Sequence, residues 1–129
     1  MGTRSLTYVY DNNEPIVCMY RQFDGYPSGH GKELAEFLKP IEIVNGLRPG
    51  GDENKIANGA GCLAAQMVAH FKDEPGGIYL QSVTNQDYDW IDYIYRIYVD
   101  SNTLTYKVSV DSELEKCSIG KFIDFCEAE

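Results

Sequence analysis

The chain has 129 residues, 43% hydrophobic and 24% charged, a size and balance that fit one globular domain (1–129) around a single core and exclude disorder as its main state. Eleven Lys and Arg against 20 Asp and Glu give a net charge of −9 at pH 7, a field that repels nucleic-acid phosphates and anionic membranes. The same balance suits a basic partner protein, or an acidic decoy that binds a host factor by charge.

No apolar run approaches the roughly 18 residues of a membrane span, and no N-terminal signal pattern stands out, so a cytoplasmic location is expected. Cys18, Cys62, Cys117 and Cys126 are irregularly spaced without a C-x-x-C pair. That spacing points to reduced, mostly buried thiols and not to disulfides or zinc.

Residues 5–10 alternate, with Leu6, Tyr8 and Tyr10 on one face and Thr7 and Val9 on the other, which predicts a strand. Asp11 to Glu14 supply turn chemistry, and a second strand is expected over 16–23, central in the sheet, with Arg21 and Gln22 emerging at its carboxyl end. The loop 24–31 follows, then a helix over 32–38 on the spacing of Leu34, Phe37 and Leu38, with Ser28 as its cap and Pro40 ending it.

Residues 41–59 are the least regular; Ile41, Ile43, Val44 and Leu47 suggest a short helical turn and 48–55 a loop. A buried helix is predicted over 60–71, capped by Asn58. Three strands, 78–83, 90–99 and 104–110, are joined by short turns and predict an antiparallel meander. Ile119, Phe122, Ile123 and Cys126 form the stripe of a closing helix capped by Ser118. The order ββ-α-α-βββ-α reads as an α+β fold, a mainly antiparallel sheet of about five strands with helices on one face.

Met1 to Thr7, Tyr20-x-Gln22-Phe23-Asp24-Gly25-Tyr26-Pro27 with Gly29 and Gly31, and the stretch Ala57-Asn58-Gly59-x-Gly61-Cys62-Leu63 resemble a family of small bacterial and bacteriophage proteins. Those open with Met-Gly-Thr-Arg and carry an aromatic-Asp-Gly-Tyr-Pro segment, often with Trp where Phe23 stands here. The resemblance implies a bacterial or phage setting and supplies no activity.

The glycine-rich turn is not a phosphate loop of the Walker type, because Tyr26 stands where the first glycine is needed and Glu33 follows Lys32 in place of Ser or Thr. A looser anion site remains at the expected helix start, where free backbone N–H groups would join Arg4, Arg21, Gln22, Asp24, Tyr26, His30 and Lys32. The plainer alternative is a turn chosen for its geometry, with Gly25 supplying positive φ, Pro27 stiffness and Tyr26 a lid over the core. A second candidate is catalytic: Cys62 in the first turn of a helix as nucleophile, His30 as base and Asp24 orienting it, against the bland alternative of a packed thiol. His30, His70, Asp24 and Asp52 lack metal-ligand spacing, so no metal or cofactor is implied. The expectation is a non-catalytic binding module for a small anionic ligand or a protein partner, acting through residues 21–32, with a Cys62-dependent hydrolase or transferase as the alternative.

Overall fold

The computed structural model describes residues 2–46, 55–84 and 88–129. Its strands and helices, in chain order, are β1 (Ser5–Asp11), β2 (Glu14–Arg21), α1 (Lys32–Leu38), β3 (Glu42–Val44), β4 (Ile56–Asn58), α2 (Gly59–Phe71), β5 (Ile78–Gln81), β6 (Tyr93–Asp100), β7 (Thr105–Val110), β8 (Leu114–Cys117) and α3 (Ile119–Ala128). This is the expected α+β architecture, with six strands in the main sheet and a separate pair, β3 and β4, among the described residues.

The sheet runs β5-β2-β1-β6-β7-β8. Every neighbouring pair is antiparallel except β1 and β6, which lie parallel with Ser5 opposite Tyr93 and Asp11 opposite Val99. Strand 78–83 therefore does not begin a meander. Its strand part, β5, pairs with β2, and the chain crosses to the middle of the sheet before β6 and β7 form their hairpin. β2 is flanked on both sides, but β1 and β6 hold the centre.

Alternation along β1 and β6 divides the molecule into two faces. Val9, Tyr95, Ile97 and Val99 point to the helices and bury Leu34 and Leu38 of α1, Leu63 and Met67 of α2, and Phe122 and Cys126 of α3. Leu6, Tyr8 and Ile94 point the other way, with Cys18 and Tyr20, under Val83, Tyr88 and Ile91.

Several local expectations shift. Ile43 and Val44 belong to a strand and not to a helical turn, because β3 pairs with β4 in parallel register; Leu47 and the loop 48–54 lie outside the described residues. Trp90 to Asp92 precede β6 and are not part of it, Ile91 N closing a turn on Tyr88 O; Ile91 packs on the back-face cluster, and Trp90 lies 5.0 Å from the Tyr20 ring. β8 was not anticipated: with two residues facing each way and a register shift against β7, its alternation is too short to see. Asn58 does not cap α2; its Oδ1 accepts from Gly46 N at 2.7 Å, tying the helix start to β3. Ser118 does cap α3, accepting from Lys121 N. Among the described residues no helix is long and apolar enough to cross a membrane.

Candidate functional site

The loop after β2 is shaped by close approach more than by backbone freedom. Asp24, not Gly25, takes the left-handed conformation, with φ of 60°. Gly25 instead lies so near β1 that an added Cβ would meet Ser5 Cβ and Thr3 O at 2.8 Å, and its own carbonyl accepts from the buried Tyr95 hydroxyl at 2.7 Å. Pro27 then opens a π-turn, Pro27–Gly31, that leads directly into α1. At its end Gly31 leaves room for Cys126 of α3, whose Sγ would lie 2.8 Å from a Cβ there.

This turn consumes the donors that an anion would need. Gly29 N and Gly31 N bond to Tyr26 O, His30 N to Asp24 O, and Lys32 N to the carbonyls of Gly29 and Pro27. Ser28 is exposed within the turn and makes no capping bond. The free N–H groups expected at the helix start are thus already paired, and α1 has only seven residues.

What the turn achieves is the burial of His30. Its ring is fully enclosed, between Phe71 at 5.0 Å and Tyr95 at 5.1 Å. Arg21 Nη1 reaches Nδ1 at 3.2 Å, and because a guanidinium only donates, Nδ1 must be the acceptor. The ring proton therefore resides on Nε2 and is donated to Thr7 Oγ1 at 2.8 Å. Burial, reinforced by the Arg21 charge, pushes the imidazole down to about 3, so it is neutral over the physiological range. Arg21 also donates Nε–H to Phe23 O at 2.7 Å and pairs with Glu33 of α1. The result is a polar chain from half-exposed Glu33 through Arg21 and His30 to Thr7 in the core.

Beside this chain a cleft of about 470 Å³ opens between the end of β2, α1, the end of α2 and the segment before β5. Arg21 and the Phe71 and His70 rings line it, with Phe23, 53% exposed, on its wall. Glu33, Glu36, Asp73 and Glu74 supply four carboxylates. Arg21 is the sole Lys or Arg among the described lining residues, and Glu33 already neutralises it.

The sequence candidates separate. Arg21 and His30 come together, Arg21 lining the cleft and His30 buried behind it, whereas Lys32 is directed to another groove, between α1 and α3. Arg4 is engaged at the start of β6, its N bonding Asp92 Oδ2 at 2.8 Å and its carbonyl accepting from Asp92 and Tyr93. Gln22 contributes a backbone bond to Gly77 O. Tyr26 is an exposed flank of the loop, not a lid on the core, and its hydroxyl donates to Asp24 Oδ1 at 3.3 Å.

The proposed catalytic trio is not assembled. Cys62 Sγ donates to Gln66 Oε1 at 3.4 Å, while His30 packs on Phe71, nine residues further along α2, about 13 Å by helix rise. Both His30 nitrogens are occupied by Arg21 and Thr7, and Asp24 meets His30 through its backbone carbonyl alone. All four cysteines are free thiols; Cys18 and Cys126 are fully buried, and burial pushes the Cys126 thiol up to about 12. His70 packs tilted against Phe37 and edge-on to Phe71; Asp52 lies outside the described residues. Among the described residues no group of three or more His, Cys, Asp or Glu could hold a metal ion.

Thr7, Glu33 and Phe71 were missed as members of the site, although Thr7 carried a signal. A hydroxyl on the inward face of a central strand needs a partner, and the buried histidine is that partner. Compared with protein-family models, with curated proteins and with solved structures, the chain finds no match.

Proposed function

We propose that this domain is a non-catalytic binding module that receives a basic segment of a partner protein in the cleft between β2, α1 and α2. The observation that carries this reading is the state of Arg21: bonded to Phe23, His30 and Glu33, it is a structural cation, and the cleft around it is left with Glu36, Asp73 and Glu74 facing space beside aromatic rings. Carboxylates attract an ammonium or guanidinium at long range, and the exposed ring of Phe23 suits a cation at contact, the Phe71 ring being already covered by Arg21 and His30. The net charge of −9 would steer such a partner, and a bacterial or phage setting is what the resemblance to small bacterial and phage proteins implies.

Titration calorimetry with a short Lys/Arg-rich peptide and a Glu-rich peptide of equal length tests this. Binding of the basic peptide alone is expected, weakening as salt rises and lost in an Asp73→Lys/Glu74→Lys variant. Equal affinity for both peptides, or no effect of the reversal, would refute it. A small anionic ligand is the second reading, favoured by the 16% of the Arg21 side chain that stays exposed. It predicts the opposite selectivity and sensitivity to Arg21→Gln.

A further inference from the structure

On the back face of the sheet the charge balance reverses. A pocket of about 280 Å³ opens where the β1–β2 turn meets the β6–β7 turn, and it contains Lys107 of β7 and Lys116 of β8 with one acid, Asp100. Among the described residues neither lysine lies within ion-pair distance of a carboxylate, in a chain with 20 acids to 11 bases, although the backbone bonds that hold the Asp100 carboxyl below its usual range are joined by the Lys116 charge. The floor is Tyr98, directly opposite Lys107 in the β6–β7 register. Its ring stacks on Tyr10 at 4.7 Å and 16°, so the Lys116 ammonium, 4.2 Å from the Tyr98 centroid, occupies the other ring face.

The walls are fixed. Asn12, with φ of 49°, uses both ends of its amide on Ser101, donating to Oγ at 2.6 Å and accepting from N at 2.9 Å. Asp100 turns Oδ1 into its own loop, accepting from Asn102 N at 2.9 Å and Thr103 N at 3.4 Å. The amides of Asn13 and Asn102 also line the pocket.

We propose that this pocket is a second binding site, for the phosphate group of a small phosphate monoester, held by Lys107 and Lys116 and by the Asn13 and Asn102 amides. Two ammonium groups act as point charges on a tetrahedral oxyanion, whereas a planar carboxylate would call for the guanidinium fork that the pocket lacks. The volume, at the low end for ligand sites, limits the rest of the molecule to a few heavy atoms.

Amide chemical-shift titrations at constant ionic strength test the site with inorganic phosphate and glycerol 3-phosphate, with chloride as control. Saturable shifts confined to residues around Tyr98, Asn13 and Asn102 are expected, with affinity about tenfold weaker in Lys107→Gln/Lys116→Gln. Shifts no larger than those from chloride, shifts centred elsewhere, or unchanged affinity in the double variant would overturn the proposal. Vesicles of phosphatidylcholine with phosphatidic acid form a last arm; capture by them without binding of the soluble phosphates would likewise overturn it. Unaltered hairpin shifts in the unliganded double variant show that the fold is intact.

Discussion

The two faces of the sheet each carry an arginine held by a carboxylate, and the pairs are built differently. Arg21 and Arg96 are similarly shielded, with 16% and 18% of their side chains exposed. Arg96 grips Asp111 with two parallel bonds of 2.8 Å, from Nε and Nη2, donates to the Tyr10 hydroxyl, and lies over the Tyr8 ring at 4.8 Å. Arg21 spreads its donors over a backbone carbonyl, an imidazole and a carboxylate. The back-face pair closes on itself, while the front-face pair transmits its position to a buried ring. Only the front network contains a group that titrates near physiological pH in the unfolded chain, and that contrast can be tested.

The largest expected effect is on pH dependence. His30 has a folded value of about 3 against 6.5 when exposed, so above 6.5 it is neutral in both states and its contribution is complete. As pH falls below 6.5 the unfolded chain takes up a proton that the folded one refuses, and stability is lost until about 3. The slope is about 1.4 kcal/mol per pH unit, on the order of 5 kcal/mol across the window. Urea unfolding at a series of pH values should show this slope for the native chain and a flatter one for His30→Leu. Identical slopes would mean that His30 protonates in the folded state. Arg96, whose proton is held more tightly than usual by Asp111, adds no slope of its own in this range.

Next in size is deletion of the ring itself. His30→Ala removes a fully buried side chain and leaves Arg21 and Thr7 each short of a partner, a loss of about 3 kcal/mol. Arg96→Met should cost about half of that, because Asp111 is 39% exposed and returns to water when its partner is gone. If chemical denaturation ranked the two in reverse, the bidentate grip and the aromatic contacts would outweigh burial, and the back face would be the more cooperative of the two.

The same contrast explains what the sequence could and could not reveal. Elements defined by contiguous periodicity were legible: α1 appears at the expected residues, and Phe122 and Cys126 form the buried face of α3 as their spacing implied. Arg21 and His30 were flagged together because they flank one conspicuous turn. Arg96 and Asp111 were not, since their meeting depends on the β6–β7 register and on Asp111 following that hairpin. The parallel join of β1 to β6 links residues 88 apart and leaves no trace in alternation, which is why a meander was expected. The glycines of the loop misled for another reason: they relieve contacts with Ser5 and Cys126, partners that a local inspection of the turn cannot supply.

The smallest effect sharpens the account of the front network at its inner end. Ser5 lies on the same face of β1 as Thr7, fully buried beneath Gly25, and its Oγ has no hydrogen-bond partner among the described residues. Thr7 differs only in having His30 above it. A buried hydroxyl without a partner costs its desolvation and returns nothing, so Ser5→Ala should leave stability unchanged or raise it by up to about 1 kcal/mol. Thr7→Val, of similar shape, should lower stability by about 1 to 2 kcal/mol because it strands the Nε2 proton. Urea midpoints moving in opposite directions would confirm that the histidine, and not burial alone, makes polarity tolerable beneath this loop. A loss in Ser5→Ala as large as in Thr7→Val would show that the Ser5 hydroxyl has a partner of its own, extending the network one residue further along β1.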